Sequence, residues 1–132
     1  MRLLAAVWLA VALCLAGGGA ASAHTSFSGS TPADGEVLDR APEQLTLTFS
    51  GKLEAAVSLH RVTLTGPDGV EFAPEATALD GGGRTLVADL PPGLPNGKYV
   101  VAFRVVAGDG HPLEGSIAFE VNAPEPEPEP TS

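Results

Sequence analysis

The sequence predicts an all-β fold, a small antiparallel Greek-key sandwich or barrel of about seven strands with an immunoglobulin-like architecture. Three observations support this prediction. Apolar residues alternate with polar ones at a period of two, Gly- and Pro-rich turn signals separate these segments, and no helical stretch follows Ala23. The 132 residues leave room for one domain. The Cys-Trp-Cys core of true immunoglobulin domains is missing, so the resemblance to that fold concerns the architecture alone.

Five segments carry the alternation, and their apolar residues are the predicted core because alternate side chains of a strand share one face. In chain order they are Leu45, Leu47 and Phe49; Val62 and Leu64; Leu86, Ala88 and Leu90; Tyr99, Val101, Phe103 and Val105; and Ile117, Phe119 and Val121. The turn signals that separate them lie at residues 32–35, 66–69, 80–83 and 95–97.

Residues 1–23 are expected to be a secretory signal peptide rather than part of the domain. Arg2 precedes an apolar run from Leu3 to Ala16, which is shorter than the about 20 residues that span a membrane. Small residues at 21–23 then provide an A-x-A cleavage site. Cleavage after Ala23 would place the mature chain in the periplasm or another extracytoplasmic space, with no membrane segment left and with His24 as its first residue.

Composition excludes several functions. The chain has a formal charge of −9, which becomes −10 when Arg2 is removed, and an acidic surface argues against nucleic acid as a partner. The mature chain would contain no Met, Trp or Cys, since the one copy of each lies before His24. Disulfides, thiolate chemistry and thioether metal sites are therefore excluded. Residues 123–132, APEPEPEPTS, are expected to be an extended, disordered Pro/Glu-rich tail, which leaves 24–122 as the folded domain.

The candidate metal ligands include two of the three histidines. As a first residue, His24 would offer its α-amine and its ring Nδ1, which close a six-membered chelate on one metal ion. Asp109 and His111 are separated by one glycine, and on an extended segment residues i and i+2 point to the same side. His60, in contrast, lies beside a strand and is expected to be a surface or edge histidine rather than a ligand.

Together His24, Asp109 and His111 would supply three nitrogens and one carboxylate oxygen. Such a set suits a tetragonal Cu(II) site, and copper leads the divalent affinity order. Zn(II) could instead bind the two histidines and the aspartate tetrahedrally. The amine–imidazole chelate and the absence of thiolates favour Cu(II), at one ion per chain.

At these residues the sequence resembles the family of the copper-resistance protein CopC. The resemblance covers essentially the whole of residues 24–122. Its matching pieces, in order, are His24, STPADG at 30–35, AP at 41–42, LTLTFS at 45–50, YVVAFRVV at 99–106, DGHP at 109–112 and GSIAF at 115–119.

The resemblance implies a cupredoxin-like or immunoglobulin-like sandwich that binds copper outside the cytoplasm, with His24, Asp109 and His111 as Cu(II) ligands. Some family members carry a methionine-rich Cu(I) site, which should be absent here. Others have a glutamate where this chain has Gly51, so no further ligand is assigned, and Glu54 stays unassigned. Relatives are often paired with a multi-helix membrane protein that imports copper, which here would be a separate partner.

We therefore expect a non-catalytic, monomeric copper-binding protein that sequesters copper or delivers it to a partner. Two alternatives stay open at this point. One is a metal-free immunoglobulin-like interaction module. The other is a copper monooxygenase with an N-terminal histidine, although the mature chain, with one Tyr and no Trp, would provide little surface for a polymeric substrate.

Overall fold

The alternating apolar segments form strands whose inward faces meet between two sheets. The computed structural model describes residues 24–124. Its strands are β1 Phe27–Thr31, β2 Glu36–Leu38, β3 Gln44–Phe49, β4 Arg61–Thr65, β5 Glu71–Phe72, β6 Ala76–Asp80, β7 Thr85–Asp89, β8 Gly97–Val106 and β9 Pro112–Val121. Short 3₁₀ turns occupy Val57–Leu59, Pro67–Gly69 and Gly81–Gly83. The predicted all-β sandwich is confirmed.

One sheet has four strands in the order β1-β3-β7-β6, and the other has five in the order β2-β9-β8-β4-β5. The nine strands exceed the expected seven because β2 and β5, at the edges of the second sheet, have only three and two residues. Strands this short are below the length at which alternation can be recognised in a sequence. The expectation of a wholly antiparallel arrangement is also corrected, since β2 pairs with β9 in parallel, Glu36 lying opposite Phe119.

The predicted core is confirmed, because every apolar residue named for the five alternating segments is buried. Leu53 and Leu94, which lie outside those segments, join the same cluster. Phe27, Phe49 and Phe103 pack together between the sheets, with ring centroids 5.2 to 5.8 Å apart. These rings join the start of β1 to the end of β3 and to the second half of β8, so they anchor the first strand to both sheets.

The longest element is the hairpin of β8 and β9, which positions the predicted Asp109 and His111. Its two long strands pair from Gly97 opposite Val121 to Val106 opposite Pro112. The connection between the strands is therefore confined to residues 107–111.

The predicted signal peptide at 1–23 and most of the predicted tail at 123–132 lie outside the described residues, and both stay predictions. Within residues 24–124, there is no helix with the length and apolar character needed to cross a membrane.

Candidate metal centre

Asp109 and His111 lie in the tight turn that joins β8 to β9. The Gly110 N–H donates to the Ala107 carbonyl at 2.8 Å, and the Ala107 N–H donates to the His111 carbonyl at 2.9 Å. Gly110 has a φ of +90°, a conformation that glycine adopts without steric cost. The expectation of an extended segment at these residues is wrong, because the hairpin must reverse here. It is the turn, not strand alternation, that brings the two side chains together.

The Asp109 carboxylate accepts a hydrogen bond from the His111 backbone N–H at 3.0 Å through Oδ1, and its Oδ2 lies 3.1 Å from Nδ1 of the same residue. The backbone N–H and then the ring of His111 hold the pKa of the Asp109 carboxyl below its usual range, with smaller electrostatic contributions from His111 and His24. Asp109 is therefore an anion at neutral pH, as a cation ligand must be.

His24 approaches this turn from the other sheet. It lies three residues before β1, whose first residue, Phe27, is paired with Phe49 at the end of β3. Its Nδ1 is 3.9 Å from Oδ2 of Asp109. Its ring meets the His111 ring edge-to-face, with centroids 5.2 Å apart. The structure thus brings together all three residues that the sequence singled out.

One ligand atom from each of these three residues lies within 4.8 Å of the other two. Two imidazole nitrogens and a carboxylate oxygen fit borderline divalent ions such as Cu(II) and Zn(II), whereas Cu(I) prefers the sulfur of Cys or Met. The side chains are exposed by 71% for His24, 41% for Asp109 and 67% for His111. Any ion held here would sit at the protein surface, within reach of a second molecule.

His60 is not part of this cluster, and it is buried rather than at the surface as expected. Its Nδ1 accepts a hydrogen bond from the Val106 N–H at 3.1 Å, and its Nε2 lies 2.8 Å from the Glu54 carbonyl oxygen, to which it donates. Both ring nitrogens are occupied in the neutral tautomer that this pairing requires. The imidazole ties the segment after β3 to the end of β8, which explains its burial.

Two residues that lie next to the segment after His24 were not identified as part of the site from the sequence. Ser50 and Gly51 contact the chain just after His24, through Ser26 and Thr25. Neither carries a side chain typical of a metal site, and no local pattern marks a serine or glycine as the neighbour of a distant terminus. The tertiary structure alone identifies them.

Comparison with known proteins gives one consistent result. The CopC domain model matches residues 27–122. The chain is 37% identical over 105 residues to copper resistance protein C of Pseudomonas syringae pv. tomato, covering 76% of this chain and 82% of the relative. The crystal structure of CopC from Methylosinus trichosporium OB3b superposes with a TM-score of 0.66 at 28% identity, covering 78% of this chain and 98% of that one.

PcoC from Escherichia coli, described as a methionine-rich copper resistance protein, superposes with a TM-score of 0.64 at 30% identity. That match covers 76% of this chain and 100% of PcoC. The region matched by the family model contains the turn with Asp109 and His111, and it begins three residues after His24.

Proposed function

This chain belongs to the CopC domain family, and from that premise we propose that it binds one Cu(II) ion outside the cytoplasm through His24, Asp109 and His111. Copper resistance proteins of this family bind copper and are not enzymes, so the chain has a role in copper resistance without catalysis. The observation that carries the proposal is the convergence of the three ligand atoms within 4.8 Å from two distant parts of the chain.

The α-amine of His24 supplies the fourth ligand. Removal of residues 1–23 would free this amine, which closes a six-membered ring with Nδ1 on the metal. A free α-amine has a pKa of about 7.7–8.0, so a metal ion displaces its proton near neutrality. The resulting set of three nitrogens and one carboxylate oxygen supports tetragonal Cu(II).

The preference for Cu(II) over Cu(I) follows from what the mature chain lacks. The one Met and the one Cys of the sequence both lie before His24. PcoC, in contrast, is described as methionine rich. Without sulfur ligands, the mature chain has no donor set that would hold Cu(I) tightly.

Exposure of the ligands supports a role in handling copper as cargo. Both imidazoles are about two-thirds exposed or more, so a bound ion can be reached by an acceptor without unfolding. We propose that the monomeric protein sequesters copper or passes it to a separate partner, such as a multi-helix membrane transporter.

A Cu(II) titration of the processed protein tests this function. The chain is exported, its mass is checked to confirm that it begins at His24, and bound copper is counted per chain. One equivalent that is lost in His111→Ala is the expected result. A protein that binds no copper would instead be a metal-free interaction module, and the proposal would fail.

A further inference from the structure

The proposed site has two halves that are far apart in the sequence, His24 on one side and Asp109 with His111 on the other. One short segment between them in the sequence contacts the neighbourhood of both. This segment, residues 50–54, follows β3 and is called the bridging segment below. At one end it contacts the arm formed by residues 24–26. At the other end it contacts the turn that carries Asp109 and His111. A rigid connection between the halves matters, because a chain terminus without such contacts is usually disordered.

The arm is attached to Ser50 by three contacts. The Ser50 N–H donates to the Ser26 carbonyl at 2.8 Å, and the Ser26 N–H donates to Ser50 Oγ at 2.8 Å. The two hydroxyls are also 3.2 Å apart. The hydroxyl of Ser50 therefore takes part in two of the three contacts, and it holds the chain two residues from His24.

Gly51 allows the arm to lie close to the bridging segment. A Cβ atom at this position would come within 2.5 Å of Thr25 Oγ1 and 3.5 Å of Thr25 Cβ. Any side chain at position 51 would therefore push against the residue that follows His24. The bare backbone of Gly51 leaves room for the half-buried Thr25.

The other end of the bridging segment is fixed to the hairpin turn. The Gly108 N–H donates to the Lys52 carbonyl at 2.8 Å, and the Glu54 N–H donates to the Val106 carbonyl at 2.9 Å. Leu53 pairs with Ala107 between these two bonds. Since the turn is pinned in this way, a displacement of the arm from the bridging segment changes the distance from His24 to Asp109.

We propose that Ser50 and Gly51 are positioning residues that set the affinity of the site by holding the arm against the bridging segment. This inference rests on the proposed function, since it assumes that His24 is a copper ligand. Neither residue contacts the metal. A protein whose binding-competent arrangement is only partly populated loses affinity in proportion to that population. Release of the arm lowers affinity in this manner, while Asp109 and His111 stay in place.

Copper titration of a double-mutant cycle tests the proposal on the processed chain. Ser50→Ala should weaken Cu(II) binding about three- to tenfold, the range that corresponds to loss of a typical hydrogen bond. The same change made together with His24→Ala should have a clearly smaller effect, because the arm then brings only its α-amine to the site. Ser50→Thr, which keeps the hydroxyl, should restore binding.

Two matched variants separate positioning from general damage. Ser30→Ala removes a hydroxyl from the nearby first strand, where it donates to the Pro32 carbonyl at 2.7 Å, and should leave affinity unchanged. Gly51→Ala should weaken binding in the same direction as Ser50→Ala. The addition of Thr25→Ala should reverse most of the effect of Gly51→Ala, because it removes the hydroxyl that the new Cβ meets.

The outcomes distinguish this inference from the function on which it rests. Unchanged affinity in Ser50→Ala, alongside strong loss in His24→Ala, would overturn the positioning role and leave the function standing. An equal loss from Ser50→Ala with and without His24 would also overturn it, since the effect would then be a general one. Binding that does not depend on His24 at all would overturn both.

Discussion

The carboxylate of Asp109 contacts His111 twice, through a backbone hydrogen bond of 3.0 Å at Oδ1 and a 3.1 Å approach of Nδ1 to Oδ2. One oxygen thus stabilises the turn while the other faces the imidazole. The carboxylate is consequently oriented before any ion arrives, and only His24 has to be brought to it from elsewhere in the chain.

Because the two oxygens of Asp109 have different roles, two substitutions of this residue should give different results. Asp109→Asn retains an oxygen that can accept the His111 N–H but loses the negative charge, so Cu(II) affinity should fall while the unfolding midpoint changes little. Asp109→Ala removes the ligand and the turn hydrogen bond together, and it should weaken binding at least as much. Isothermal titration with Cu(II) and thermal unfolding of the same samples measure both effects. Equal affinity of the wild-type protein and Asp109→Asn would contradict a role for the charge.

Stoichiometry and oxidation state form the second prediction. The processed chain should bind one Cu(II) and should not bind Cu(I) tightly, because it has one N/O ligand set among the described residues and no Met or Cys after Ala23. Electron paramagnetic resonance during the titration should show a single type-2 signal with nitrogen couplings. A second equivalent of similar affinity, or a preference for Cu(I) in competition with a Cu(I) chelator, is the contrary outcome.

The free terminus provides the third prediction. One additional residue before His24 converts the amine to an amide and removes the preferred chelate ring, so affinity should fall while the fold is retained. His24→Ala should weaken binding to a similar extent, and His111→Ala should weaken it without unfolding the sandwich. If a chain with one additional residue before His24 binds Cu(II) as tightly as the processed chain, the amine is not a ligand.

Acid should release the metal through the nitrogen ligands. A free imidazole has a pKa of about 6.5, and a free α-amine about 7.7–8.0, so Cu(II) affinity should decrease as the pH falls from about 8 to about 5. Asp109 does not contribute to this decrease. The hydrogen bonds from His111 hold the pKa of the Asp109 carboxyl below its ordinary value of about 3.9, so the carboxylate stays charged between about pH 8 and about pH 5. The stability that these hydrogen bonds give the folded protein is lost only as the pH falls through the lowered pKa. Titrations at several pH values measure the effect, and a constant affinity would exclude the assigned nitrogens.

His60 is predicted to stabilise the fold without binding copper. His60→Ala leaves the Val106 N–H at the end of β8 without its acceptor, and a donor left unsatisfied inside the protein costs about 1–3 kcal/mol of unfolding free energy. Urea unfolding measures this loss. Cu(II) affinity of the folded variant should stay within about twofold, because His60 offers no ligand atom to the cluster and the backbone hydrogen bonds that join Lys52 and Glu54 to the hairpin remain. Loss of copper binding in a folded His60→Ala protein would instead make it a ligand.

Much of the fold could be predicted from the sequence because the relevant information is local. The alternation of Leu45, Leu47 and Phe49 with threonines is a property of consecutive residues, and burial of one face follows from it in any sandwich. The short β2 and β5 could not be predicted in this way. They form because longer strands beside them offer edges to pair with, and their own residues show no alternation.

The sequence by itself determined which chemical groups were available: three imidazoles, many carboxylates and no sulfur after Ala23. It also determined that Asp109 and His111 would lie near each other, since one residue separates them. Only the tertiary structure decided that His24 reaches them and that His60 does not. The pairing of β1 with β3 and the contacts of residues 50–54 bring His24 to the hairpin turn, while hydrogen bonds to Glu54 and Val106 occupy both nitrogens of His60. The physical reason is that such proximity depends on hydrogen bonds and packing between residues far apart in the chain, which no local pattern of residues encodes.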